Sequence, residues 1–151
     1  MATIDAKEVD FHVVSEDFSR YSLKDRTLLK AKVVVKKIIA SPEKTPEGYP
    51  TSLALDTVNV ISAMVDQSER REPSKEPFNF QVDKGEEVEF EEFGKPEIQK
   101  YMTNEGYTVT VKPVVTKILK YKKYNNYGEP VYYANIQAIT NIEKNKSVIE
   151  P

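Results

Sequence analysis

The chain of 151 residues contains no cysteine. Disulfides, thiolate nucleophiles and cysteine-bound zinc are therefore excluded. Histidine is almost as scarce, His12 being the only one. Alternation in "VDFHVV" sets it on the opposite face from Phe11 and Val13, as an ordinary half-exposed strand histidine. No glycine-rich phosphate loop, Gly-x-Ser-x-Gly elbow or histidine–carboxylate metal spacing occurs. Long apolar runs are missing too. Lysines interrupt even "KVVVKKII", and nothing approaches the roughly 18 residues that suggest a membrane span. The start, "MATIDAKEVDF", has neither a basic n-region nor an apolar core, so no signal peptide is expected. A net charge of −2 removes any whole-molecule case for nucleic acid or an acidic membrane. The expectation is a soluble cytoplasmic protein that is not an enzyme, with no cofactor, no metal and no membrane association.

What the chain does contain is an internal echo. Set against itself at an offset of 80, residues 18–54 lie over 98–134, with nine of 37 positions identical. The identities include Tyr21/Tyr101, Val34/Val114, Ile38/Ile118, Gly48/Gly128 and Pro50/Pro130. Removing two residues after 134 aligns "VNVISAM" (58–64) with "IQAITNI" (136–142). Glycine, proline and apolar pattern agree together, which reads as a diverged tandem duplication.

The repeated pattern is β-structure. "LLKAKVVVKKII" and "TVTVKPVVTKIL" are rich in β-branched residues and alternate at their starts. The alternation then slips phase, which predicts a bulge or a sharp bend near 36 and 116. Pro113 favours an edge or bulged position. "KDRT" and "NEGY" mark hairpin turns before the long strands, and "PEGYP" and "NYGEP" mark turns after them. Two shorter strands follow in each copy, near 51–55 and 58–64 and near 131–134 and 136–142. A leading strand opens each, "VDFHVV" (9–14) and "VEFEEF" (88–93). The fold class is all-β: a tandem duplication of a small five-stranded SH3-like or open barrel/sandwich unit. The first β repeat is placed at 1–65, a polar linker at 66–77, the second β repeat at 78–145 and a C-terminal tail at 146–151. "FNFQV" (78–82) alternates and reads as a further strand. Each copy is small enough that mutual burial is expected.

Two charged stretches stand out. "DKGEEVEFEEFGKPE" (83–97) holds seven carboxylates against two lysines. On a strand, Glu87, Glu89 and Glu91 share a solvated face while Val88 and Phe90 share the other, so no metal or acid–base site is read there. The second stretch, 112–133, is basic and aromatic. Tyr121, Lys122, Lys123, Tyr124, Tyr127 and Tyr133 form a candidate partner-binding surface, with Tyr124 and Tyr127 projecting from a hairpin loop. The first copy lacks this cluster. The function expected is an interaction or assembly module that contacts a protein partner or a second copy of itself, as a homo-oligomer. The alternative is single-stranded nucleic acid, with Lys112, Lys117 and Lys120 tracking phosphates and tyrosines stacking on bases. Pairing of the acidic stretch against the lysines would weaken that alternative.

Overall fold

The computed structural model of the chain describes residues 6–144; residues 1–5 and 145–151, with the expected tail at 146–151, lie outside that description. Ten strands follow in order: β1 (Lys7–Val9), β2 (Phe11–Ser15), β3 (Ser19–Leu23), β4 (Leu28–Ala40), β5 (Leu53–Met64), β6 (Glu86–Glu87), β7 (Phe90–Glu92), β8 (Gln99–Thr103), β9 (Tyr107–Tyr124) and β10 (Pro130–Lys144). One short 3-10 turn, Gln67–Glu69, is the only helical element among the described residues. The strands form two antiparallel five-stranded sheets, neither of them closed.

Each sheet is built on a long central strand. In the first, β4 pairs with β5 along its whole length on one side. On its other side it pairs with β3 at residues 28–31 and with β1 at 38–40. In the second, β9 pairs with β10 on one side and with β8 and β6 on the other. The registers coincide at the offset seen in the sequence. Tyr21 stands opposite Leu29, and Tyr101 opposite Val109; Ser19 stands opposite Ala31, and Gln99 opposite Val111. The expected bulges are present, because pairing skips Lys36 in β4 and Thr116 in β9. A bulge resets the side-chain phase, so Leu29, Ala31, Val33 and Val35 before it and Ile38 and Ala40 after it all face inward.

Three expectations are corrected. The strands after the long ones are not split. β5 and β10 are continuous, and Leu53 to Met64 match Tyr132 to Glu143 at an offset of 79. The two halves therefore differ in length by one residue, not two, between the shared turn proline and this strand. The leading strands are each broken in two. β1 pairs within its own sheet, and after Asp10 the chain crosses to pair β2 with β8 of the other sheet. Likewise β6 pairs with β9, and β7 crosses to pair with β3. Finally, 78–82 is not a strand but a turn, closed by Val82 N–H and Asp83 N–H donating to the Asn79 carbonyl.

The exchange decides where the core lies. Val9, Val33, Val35, Ile38 and Ala40 pack with Tyr101, Tyr107, Val109 and Val111 in one cluster. Tyr21, Leu23, Leu29 and Ala31 pack with Val115, Ile118, Tyr132 and Ala134 in the other. Each half thus gives the end of its long strand to one core and the start to the other. Neither half encloses a core by itself.

Candidate contact surface

The Tyr/Lys stretch is the end of β9, a turn, and the start of β10. Pleating divides its tyrosines. Tyr132 points inward and is 8% exposed, while Tyr133 on the next position points outward and is 39% exposed. Tyr121 also leaves the core side, yet it is buried. The segment 78–85 folds over it, with the Phe78 ring edge-on at 4.7 Å. Gly85 is required there, since a Cβ would meet the Tyr121 ring at 2.8 Å. Phe78 continues to Phe80, and Phe80 lies against Tyr133 at 5.1 Å. The outer end of this row is open: Phe80 is 57% and Val82 71% exposed.

The turn itself is fixed. Asn125 Oδ1 accepts from the N–H groups of Tyr127 and Glu129, and Gly128, with φ at 75°, donates to the Asn125 carbonyl. The expected linker is bound to it as a strap. Arg70 donates to the Tyr127 carbonyl and pairs with Glu129, and Arg71 N–H donates to the Gly128 carbonyl. Ser74 N–H donates to the Tyr124 carbonyl, while Tyr124 N–H donates to Ser74 Oγ. Tyr124 is consequently half-buried, and only Tyr127 projects as expected, at 77% exposure.

The lysines separate in the same way. Lys120 lies between Asp25 at 2.8 Å and Glu69 at 2.5 Å, beside the Tyr132 ring. Burial works against its charge, but the two carboxylates outweigh burial and hold its pKa above the usual lysine value. Asp25 accepts from Lys120, from the Tyr132 hydroxyl and from Thr27 N–H. Its pKa falls to about 2, because these bonds overcome the burial that would raise it. Lys123 pairs with Asp83 of the acidic stretch. β6, in the same stretch, lies directly beside β9, with Glu86 opposite Lys120. Lys112, Lys117 and Lys122 are exposed and have no ion pair among the described residues.

The remaining sequence candidates are scattered. His12 is exposed on β2, the edge strand of the second sheet. Glu87, Glu89 and Glu91 are exposed, while Val88 and Phe90 pack against the second core. Among the described residues no group of three His, Asp or Glu is placed to hold a metal ion, and no helix is long and apolar enough to cross a membrane. The patch residues missed in the sequence are Phe78, Phe80 and Val82. Their alternation was the signal, but it suggested a strand rather than a cover over Tyr121.

No protein-family model matches the chain, and neither curated proteins nor solved structures yield a match.

Proposed function

We propose that this chain is a non-enzymatic contact module that binds a protein partner or a second copy of itself through the outer face of its second half. The carrying observation is the exposed aromatic and apolar group Phe80, Val82 and Tyr133, with Tyr127 displayed on a braced turn. Aromatic side chains on a fixed backbone supply contact area at low entropic cost. Capture of Lys120 and Lys123 by Asp25, Glu69 and Asp83 supports protein over phosphate as the partner. The coincident registers support descent of the two halves by tandem duplication, the repeated unit being five strands of which one crosses to the other half's open sheet.

Sedimentation velocity over a range of concentrations, and pull-down with the purified chain, test the reading with Phe80→Ser/Tyr127→Ala/Tyr133→Ala. The variant keeps its circular dichroism spectrum and loses association. Micromolar binding of single-stranded RNA or DNA that weakens steeply with salt, and that fails in Lys112→Glu/Lys117→Glu/Lys122→Glu, overturns it in favour of nucleic acid.

A further inference from the structure

Most edges of the two sheets are blunted. On the sides away from β5 and β10 lie β1, β2, β6 and β7, which run for only two to five residues. β1 carries Lys7 and Glu8, β6 carries Glu86 and Glu87, β7 carries Glu91 and Glu92, and pairing in β2 skips Val14. Short length, charge and bulges all keep an edge from recruiting another strand. β5 and β10 are 12 and 15 residues long, and each pairs on one side only among the described residues. β5 carries Asp56, ion-paired with Lys36, within its edge. In β10, residues 131–142 include no charged residue, no proline and no glycine.

The backbone of that stretch alternates in a defined phase. Ile118 turns its carbonyl to Val88 N–H, away from β10, so Ala134 opposite it turns its own N–H and carbonyl to the open side. Period two carries Ile136, Ala138, Thr140 and Ile142 to the same side, because the bulge lies in β9 and not in β10. Among the described residues, no backbone group pairs with these five from beyond β10. Tyr133 and Ile139 stand six residues apart on the outer face of the strand, and Ile139 is 50% exposed. Phe80 lies against Tyr133.

We propose, resting on the contact reading above, that the partner is a second copy of this chain, joined by antiparallel pairing of β10 with β10. Centred on Ile136, the two strands overlap along residues 131–141, and no charge lies within the overlap. Tyr133 then stands opposite Ile139 of the second copy, and Ile139 opposite its Tyr133. These are the closely spaced pairs without hydrogen bonds, and an aromatic ring against a β-branched side chain is a favourable cross-strand pair. Ala134, Ile136 and Ala138 exchange backbone hydrogen bonds with Ala138, Ile136 and Ala134 of the second copy. One patch serves both copies, so the interface closes as a two-fold dimer instead of growing into a fibre. Phe80 flanks the seam through Tyr133, which joins the edge to the exposed aromatic row.

Sedimentation velocity and amide hydrogen exchange of the full chain, at low and high micromolar concentration, test the pairing. The chain should become dimeric on concentration, with exchange at Ala134, Ile136 and Ala138 slowed about tenfold. Asn59 is the control on the β5 edge: it lies opposite Val33, whose N–H is turned to Gln99, and its exchange should not change. Ala138→Pro removes an outward N–H and no bond to β9, and should sediment as a monomer. Should that variant lose its circular dichroism spectrum, Ile139→Glu serves instead, its carboxylate lying opposite Lys112 within the sheet and against Tyr133 across the seam. A chain that stays monomeric, a dimer whose three amides remain unprotected, or a dimer that survives Ile139→Glu overturns the edge pairing. If such a dimer dissociates in Phe80→Ser/Tyr127→Ala, the contact face stands and only the edge is overturned. If it survives that variant too, both are overturned.

Discussion

Asp25 sits on the tight turn between β3 and β4 and reaches across to the opposite half, where Lys120 and Tyr132 donate to it. Because its pKa drops from 3.8 to about 2, its folded charge is favoured. A depressed carboxylate contributes stability above its unfolded pKa, and that contribution fades as pH falls from about 4 towards 2. A shift of this size is worth about 2 kcal/mol. Urea unfolding at pH 6 and pH 2.5 should show that loss in the wild type and a clearly smaller loss in Asp25→Asn. A second residue carries a different burden. β1 and β3 leave a gap along β4, and in that gap the Val33 backbone has no strand beside it. Gln99, fully buried, enters from the other sheet: Val33 N–H donates to its Oε1 at 3.0 Å, and its Nε2 donates to the Val33 carbonyl and to the Tyr101 hydroxyl. The matching gap along β9 is filled differently. Pro113 has no N–H to satisfy, and Ser19 stands where Gln99 stands in the other half. Gln99→Leu leaves Val33 N–H without its acceptor and takes the Nε2 donor from the Val33 carbonyl, while Tyr101 keeps Glu16 as acceptor, so a loss of about 2 kcal/mol is expected in urea unfolding. Ser19→Ala should cost about 1 kcal/mol, because it removes the bond from Glu97 N–H and a side-chain hydrogen bond with Tyr21.

The long strands, their bulges and their turns were legible because local chemistry alone dictates them. β-branched alternation fixes the inward face, a phase slip demands a bulge, and Gly48 and Gly128 both take the positive φ that their turns require. The crossings were not legible. "VDFHVV" and "VEFEEF" alternate only as far as Val13 and Glu91, and alternation carries no information about which sheet supplies the partner. The site was half legible for a related reason. Pleating predicts that Tyr132 or Tyr133 turns inward, but the cover over Tyr121 comes from Phe78, remote in pattern and joined only in three dimensions. The crossing strands make a testable contribution of their own. Phe11 lies edge-on to Tyr101 at 5.7 Å, and Phe90 to Tyr21 at 5.8 Å. Each ring belongs to one half and packs on the other. Phe11→Ala and Phe90→Ala should each lower stability by about 2 kcal/mol, less than a fully buried ring would cost. Both should shift one common transition, seen together by tyrosine fluorescence and circular dichroism, rather than loosening one half alone.

Two cores shared between two halves make a particular demand on the whole molecule. Val33, Val35, Ile38 and Ala40 are buried against Tyr101, Tyr107, Val109 and Val111, and Leu29 and Ala31 against Val115 and Ile118. Cutting the chain between the halves removes no core residue, yet it leaves each piece with two open apolar faces and an unpaired crossing strand. Pieces of this size bury too little of their own surface to offset chain entropy. Residues 1–65 and 66–151, produced separately, should each lack a cooperative thermal transition at low micromolar concentration. Mixed in equal amounts, they should regain the β-sheet dichroism of the intact chain, with a midpoint that rises with concentration, because joining them is now bimolecular. The strap should stay with the second piece, since Arg70, Arg71 and Ser74 hold the 125–129 turn. The reciprocal geometry adds a sharper expectation. Each half offers the other the same two surfaces, so either piece at high concentration can present its long strand to a second copy of itself. Light scattering should then find weak homodimers of a single piece, displaced by the other piece into the tighter one-to-one complex. A well-folded monomer of either piece, with a sharp concentration-independent transition, would show that a half closes its own core and that the crossing strands are dispensable.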